Sequence, residues 1–387
     1  MENYNEKDLN AKVDEMFKEF QGKLDSKLNV LVFGKVSAGK SSFLNAFFDR
    51  EMVNPLFTVN AKSGETTKVK FENLGDNISV ADTPGLDDIV AENSAETIKM
   101  LDDGVDVGML VLSGSADNSQ RIHYKNLCEK SQEVFIVLNK ADTFSDENLA
   151  VVIAQWKQQL GLSEEQKIYP VVSRGYDPKD KERFRGEEFD IEVDKYGRPK
   201  TLKGIDVVRD DVLDFLEKQG KDLLLAKELK DKSKKAAAII ATATAAAAGA
   251  AFIPGSAAYI LGIQAVAIGS LGYLYTGEAI GKNNAIQFVG TFAAEQVGMN
   301  LFLIVKSFLP PTGVIDLAAA AVAASVTAAM LSAVSYLLNN NIGFDDKGKM
   351  KEVYNEMKDK IKTEAKSANK SDLMAKDFWG GLIKTLL

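Results

Sequence analysis

From Leu28 to Ser42 the chain reads LNVLVFGKVSAGKSS, an apolar run that passes directly into a G-x-x-x-x-G-K-S loop, Gly34 to Ser41. No other stretch restricts the fold as much. Such a loop works only where a buried strand meets the first turn of a helix, because there several backbone N–H groups converge on one point and the helix dipole adds positive charge. That arrangement suits a chain of phosphates. Gly34 and Gly39 lack the Cβ that would obstruct the tight turn or the approach of phosphate oxygens. Gly34, Ser37, Ala38, Gly39, Lys40, Ser41 and Ser42 would form the cradle, with Lys40 reaching the β- and γ-phosphates and the Ser41 hydroxyl ligating Mg²⁺.

Four further segments follow in the order and at the distances a guanine-nucleotide switch requires. After GETTK at Gly64 to Lys68, KVKFENLGDNISVAD reads as two short strands joined by a Gly75-Asp76-Asn77 turn, and the second strand runs into Asp82-Thr83-Pro84-Gly85. Asp82 can hold the Mg²⁺ shell through a water, and the Gly85 N–H can meet the γ-phosphate. The buried run Val134 to Leu138 then delivers Asn139-Lys140-Ala141-Asp142. A carboxylate at Asp142 accepts both N1–H and the exocyclic amine of guanine, a pair that adenine lacks. Finally Ile168 to Val172 closes in Ser173-Arg174-Gly175, where a backbone N–H can read guanine O6. Alone, DTPG is a turn and NKAD a helix cap; their joint occurrence in order is what points to GTP.

On GKVSAGKSSFLNAFF, GETTKV, DTPGLDD, NKAD and VVSR, residues 27 to about 220 resemble an Era-like GTPase domain of the translation-factor-related class. The resemblance implies an α/β fold with a mixed, mostly parallel six-stranded sheet flanked by helices, and a Mg²⁺-dependent enzyme converting GTP to GDP and phosphate. It also implies that Thr66 or Thr67 closes over Mg²⁺, with Thr67 preferred because TT before a basic residue is the family pattern. Lys40, Thr67 and Gly85 are then the catalytic set, and Ser41, Thr67 and Asp82 the metal set. Two positions depart from the pattern. Leu86 stands where many small GTPases carry a water-orienting Gln; Asp87 and Asp88 are close by, though solvated switch residues are the simpler reading of both. Ser37 replaces an Asn that helps many Era-like members hold potassium. Slow turnover, stimulated by self-association or a partner, is therefore expected.

A chain of 387 residues, 45% hydrophobic and 26% charged, exceeds one ordinary domain and can bury a sizeable core. Net charge of −8 argues against a broadly basic nucleic-acid surface. The single cysteine, Cys128, and single histidine, His123, leave no disulfide framework, Cys-rich zinc site or histidine chemistry, and each reads as structural. The opening MENYNEKDLNAKVDEMFKEF is acidic without an apolar run, so no cleavable signal peptide is expected. A bacterial protein of the cytoplasm, at most attached to or inserted in the inner face of the membrane, is the corresponding expectation.

Charge then disappears. From Ala236 to Leu338 the only ionisable side chains besides Tyr are Glu278, Lys282, Glu295, Lys306 and Asp316. Roughly 20 apolar residues span a bilayer, but 11 of the 18 residues from Ala236 to Ile253 are Ala, which favours helix while offering little transfer energy into hydrocarbon. Small residues let helices approach closely in a soluble bundle or in a membrane alike. Gln264 and Asp316 call for buried partners in either setting. Pro254-Gly255 and Pro310-Pro311 interrupt two similar segments, which suggests a weak duplication of helix, break, helix.

AFIPGSAAYILGIQAVAIGSLGYLYTG and FLPPTGVIDLAAAAVAASVTAAM resemble the two halves of the YcjF-type C-terminal domain found behind some bacterial Era-like GTPases. The overall arrangement is also similar to immunity-related GTPases and, more distantly, dynamin-like proteins. Those resemblances imply action at membranes and self-association. Val13, Met16, Phe17, Phe20 and Leu24 recur at helical spacing before the first strand, as do Met350, Val353, Tyr354, Met357 and Ile361 near the other end. The tail DFWGGLIKTLL carries a further stripe, Phe378, Trp379, Leu382, Ile383 and Leu386, read as docking onto the helical domain ahead of membrane contact. The expected domains are an N-terminal helix at 1–26 that packs with the helical domain, a GTPase domain at 27–220, an apolar helical domain at 221–338, and a charged helix with the tail at 339–387. Between Ser173 and a helix at Val207 to Leu216 lies a charged excursion, expected as an exposed loop or hairpin beside the nucleotide site.

The leading functional reading is a GTP-hydrolysing switch whose nucleotide state controls an apolar helical domain at a membrane or in self-assembly, with guanine nucleotide, a membrane surface or bilayer, and a GTP-dependent homodimer as partners. Two alternatives stay open: a membrane-inserted remodelling protein with a regulatory GTPase, and a soluble bundle that binds a protein.

Overall fold

The computed structural model describes residues 6–52, 54–59, 70–82, 100, 102–176, 191–253, 257–297, 315–344 and 346–387. These separate into two compact units, one of residues 25–230 and one combining 1–24 with 231–387.

The first unit is built on a single sheet. Its strands are β1 (Leu28–Phe33), β2 (Lys70–Leu74), β3 (Ile78–Asp82), β4 (Val105–Leu112), β5 (Ser131–Leu138) and β6 (Ile168–Pro170), in spatial order β2-β3-β1-β4-β5-β6. All neighbours are parallel except the β2-β3 hairpin, which turns at Gly75 with φ +59°. Every residue of β1 and β4 is buried, as expected of central parallel strands covered on both faces. Val30 pairs with Val80 on one side and Val107 on the other, so the sheet centre is a layer of branched side chains. The six-stranded, mostly parallel α/β sheet expected from the resemblance is the one observed.

Helices α2 (Lys40–Phe47), α3 (Ser119–Lys130), α4 (Asp146–Leu160), α5 (Ile205–Gln219) and α6 (Asp222–Ala226) belong to this unit. Helix α4 starts where Ser145 accepts from the Asn148 N–H and stops at Gly161 in left-handed backbone, the usual cap pair. Its Trp156 is buried in the core and donates its indole N–H to the Gly114 carbonyl at 3.0 Å. On α3, His123 stacks against Phe33 while Cys128 is exposed.

The second unit is helical: α1 (Glu6–Leu24), α7 (Ser233–Ala250), α8 (Ala257–Thr276), α9 (Lys282–Val297), α10 (Ile315–Asn339), α11 (Lys347–Ser367), α12 (Lys370–Met374) and α13 (Lys376–Lys384). Val13, Phe17, Phe20 and Leu24 of α1 are buried, and α1 lies against α8. A Cβ at Gly262 would stand 2.5 Å from the Met16 sulfur, so a larger residue there would displace the Met16 side chain. Along α7, α8 and α10 the core is mostly alanine, with Ala236, Ala247, Ala265, Ala320, Ala324 and Ala328 fully or nearly fully buried. Gln264 finds its partner in Thr327, donating at 2.8 Å between two buried side chains. Met350, Val353, Tyr354, Met357 and Ile361 of α11 are all buried. The tail helix α13 packs on α7, burying Trp379 and Ile383, and the Trp379 indole donates to the Leu373 carbonyl at 2.8 Å.

The proline breaks at 254–255 and 310–311, the Asp316 side chain, and Thr66, Thr67, Gly85, Leu86, Asp87 and Asp88 all lie outside the described residues or side chains.

Candidate functional site: a phosphate loop and a base pocket at the carboxyl edge of the sheet

The loops that leave the carboxyl ends of β1, β5 and β6 meet along one edge of the sheet, where β3 also ends at Asp82, the edge where open α/β sheets hold ligands. After β1, the chain turns through Gly34 and enters α2 at Gly39, whose φ of +85° is the left-handed cap of the helix. A Cβ on Gly34 would fall 2.2 Å from the Val111 carbonyl oxygen, and one on Gly39 2.4 Å from the Asn139 amide nitrogen. Both glycines are thus demanded by the neighbouring strand and loop as well as by any ligand. Ser37 holds left-handed backbone with φ +67°, and the Ala38 N–H donates to the Lys35 carbonyl at 3.1 Å. The first helical bond runs from the Phe43 N–H to the Gly39 carbonyl, so the N–H groups of Ser41 and Ser42 have no intrahelical acceptor.

Lys40 bends back over this loop. Its ammonium donates to the Gly34 carbonyl at 3.0 Å and the Lys35 carbonyl at 3.3 Å, and stands 3.9 Å from an Asp82 oxygen. Asp82, buried at the end of β3, accepts from the Ser41 hydroxyl at 3.0 Å. A hydroxyl and one carboxylate in contact are hard oxygen donors of the kind a Mg²⁺ ion takes from a protein when substrate oxygens and water complete its octahedron. The residues therefore fit that ion.

The third component closes the back of the loop. Asn139 donates its amide to the Ala38 carbonyl at 3.0 Å and the Gly39 carbonyl at 3.3 Å. Its side-chain oxygen accepts from the Lys140 N–H at 2.8 Å and the Ser173 hydroxyl at 2.9 Å. One buried amide thus joins the phosphate loop, the NKAD segment and the loop after β6. Lys140, itself at φ +61°, lies along the phosphate loop and donates to the Ser37 carbonyl at 2.7 Å. Asp142 sits in a single turn, Ala141–Thr143, anchored by the Ala141 N–H on the Val171 carbonyl at 3.0 Å. Its carboxylate is paired with Arg174 at 2.7 Å.

Two supporting groups escaped the sequence reading. The described end of the excursion after Ser173 carries the small hairpin expected, with Val193 bridged to Pro199, and it also braces the loop after β6, which was not expected: Val172 and Lys203 exchange backbone hydrogen bonds at 2.9 and 3.1 Å, and Thr201 donates to the Arg174 carbonyl at 2.6 Å. Behind the phosphate loop, Asp49 follows the last turn of α2 with left-handed backbone and a fully buried carboxylate. It accepts from Arg209 at 2.8 Å, Arg198 at 3.1 Å and the Lys230 N–H at 3.1 Å. Arg209 also holds the Ala46 and Phe47 carbonyls that end α2. Burial acts to raise the Asp194 carboxyl, but hydrogen bonds from the Arg198 backbone and guanidinium outweigh it and keep the group below the usual carboxylate range. Burial first, then the Asp49 charge, pushes the Tyr176 phenol well above its usual value. The signal for Arg209 was available, since it shares the buried stripe Ile205, Val208, Val212 and Leu216, and a charge on such a stripe demands a partner.

A family model described as a 50S ribosome-binding GTPase matches residues 29–140. Among curated proteins none matches the chain. Among solved structures, Toc33 from Arabidopsis thaliana in complex with Mg²⁺ and GMPPNP is 16% identical with a TM-score of 0.32, covering 55% of this chain and 94% of that one. Era in complex with MgGDPNP and nucleotides 1506–1542 of 16S ribosomal RNA is 17% identical with a TM-score of 0.28, covering 44% of this chain and 60% of that one. Roco2 from Methanosarcina barkeri bound to GDP is 15% identical with a TM-score of 0.23, covering 42% and 49%. The sheet-bearing unit is a P-loop GTPase domain, a GTP-binding fold followed in this chain by a helical region.

Proposed function

We propose that the chain is a slow GTPase whose nucleotide state governs what the helical unit does at a membrane surface or in self-assembly. The observation that carries the nucleotide half is Asn139, whose one buried amide binds phosphate loop, base-reading turn and β6 loop into a single preorganised site. In this reading Lys40 gives up its two carbonyl partners to contact the β- and γ-phosphates, and the N–H groups at the start of α2 bind the same oxygens. Ser41 and Asp82, with Thr67, would hold Mg²⁺, which supplies charge neutralisation for the departing phosphate. Gly85 would sense the γ-phosphate through its N–H, and Asp142, with backbone N–H groups at Ser173 and Arg174, would select guanine.

For the helical half, two helices are long and apolar enough to cross a membrane, 258–276 and 320–339, yet most of each is buried within the unit. That burial favours a closed bundle in the form described, and membrane contact then requires the bundle to open. The resemblance to the YcjF-type domain supports action at a membrane, and the location proposed with it is the cytoplasmic face of the inner membrane.

Lys40→Ala should weaken GDP and GTP binding about 10- to 100-fold, the scale of a charge-assisted contact in a preorganised site. Asp142→Asn should transfer preference from guanine to xanthine nucleotide. Hydrolysis per molecule should rise with protein concentration or with liposomes, and GTP should increase flotation over GDP. Parent-like GTP binding by both variants would overturn the site, and flotation insensitive to nucleotide would overturn the coupling.

A further inference from the structure

The Asp142 carboxylate that would read guanine is already occupied by a guanidinium, with Arg174 Nη2 2.7 Å from Asp142 Oδ2. We propose that Arg174 is a gate on the base pocket: it stands in for the N–H donors of guanine and must be displaced by them, so it sets how fast guanine nucleotides enter. The proposal rests on Asp142 being the guanine-reading residue.

The chemistry of the stand-in is close. A carboxylate accepts a planar set of N–H donors, and arginine presents such a set permanently charged. Guanine offers the same pattern from N1 and its exocyclic amine, without the charge. Arg174 and the base therefore compete for one acceptor, and an adenine nucleotide, lacking the paired donors, has no means of displacing the arginine.

Both backbones are fixed, which confines the gate to side chains. Asp142 stands in a turn closed by the Thr143 N–H and hydroxyl on the Lys140 carbonyl at 3.0 and 2.7 Å. On the other side, Thr201 holds the Arg174 carbonyl, and a Cβ at Gly175 would meet the Pro199 ring at 2.7 Å. Ser173 is tied to Asn139. These ties restrain the backbone at Ser173 and Arg174. The two side chains, by contrast, are 37% and 24% exposed, so water can accept the arginine when it leaves. An ion pair this exposed shifts an equilibrium by at most about fivefold, which is enough to slow entry without closing the site.

Stopped-flow association of a fluorescent GDP analogue, with dissociation measured by chase, tests the gate. Arg174→Ala and Arg174→Gln should raise the association rate about two- to fivefold, while Arg174→Lys, which keeps the charge, stays closer to the parent. In an Asp142→Asn background, read with xanthosine diphosphate, Arg174→Ala should change association clearly less than in the parent, because a neutral amide oxygen holds the guanidinium more weakly than a carboxylate does. Unchanged or slower association in Arg174→Ala would overturn the gate, and faster dissociation alone would make Arg174 a contact to bound nucleotide instead. An Asp142→Asn variant that binds GDP like the parent would sink the underlying assignment of the base pocket, an outcome separate from either.

Discussion

The two units of this chain solve the packing problem with different materials. The nucleotide unit fills its core with large side chains, among them Trp156, Phe33, Phe43, Phe47 and Met109. The helical unit fills much of its core with alanine and admits Gln264, Thr327 and Ser332 into fully or nearly fully buried positions. Large residues lock into one arrangement by shape, and a site whose donors must stay within fractions of an ångström benefits from that. Alanines bring helix axes close together but interdigitate little, so the bundle depends on backbone proximity and on a few buried polar contacts. One unit takes its order from the shapes of large side chains, the other from the close approach of helix backbones.

That contrast can be broken from either side. Trp156→Ala removes the largest buried side chain near the sheet; it should destabilise the nucleotide unit by about 3–5 kcal/mol, seen as a fall in the calorimetric transition that GDP shifts. In the helical unit the harmful change runs the other way. Ala328→Leu adds volume where α10 is fully buried and should cost about 1–3 kcal/mol, read in urea from the fluorescence of Trp379, the tryptophan of that unit. The smallest effect is expected from Gln264→Leu with Thr327→Val. Among the described residues the Gln264 side-chain oxygen has no hydrogen-bond partner, so replacing both partners with apolar groups should leave stability within about 1 kcal/mol of the parent or raise it. A loss of several kcal/mol in that double variant would mean the polar pair holds the bundle together. An Ala328→Leu variant as stable as the parent would remove the contrast.

The P-loop fold was legible because its parts announce themselves locally. Apolar runs mark β1, β5 and β6, and each candidate segment sits at a strand end. Helices α1, α11 and α13 were legible for the same reason, since their apolar residues recur at helical spacing. What escaped is long-range and aperiodic. No local pattern brings Lys203 to Val172 or Thr201 to Arg174, and Asp49 gains its partners only when residues some 150 to 180 positions away fold against it. Gln264 was recognised as needing a partner, but Thr327 could not be chosen from many similar Ser and Thr residues along an alanine-rich helix.

Asp49 carries one more consequence. The carboxylate just beyond α2 also takes the backbone N–H of Lys230, the last residue of the nucleotide unit. The polypeptide therefore departs from this domain at a point moored to the residue that follows α2. Releasing that mooring would leave a buried negative charge short of a donor, which opposes separation of the exit point from the end of the helix.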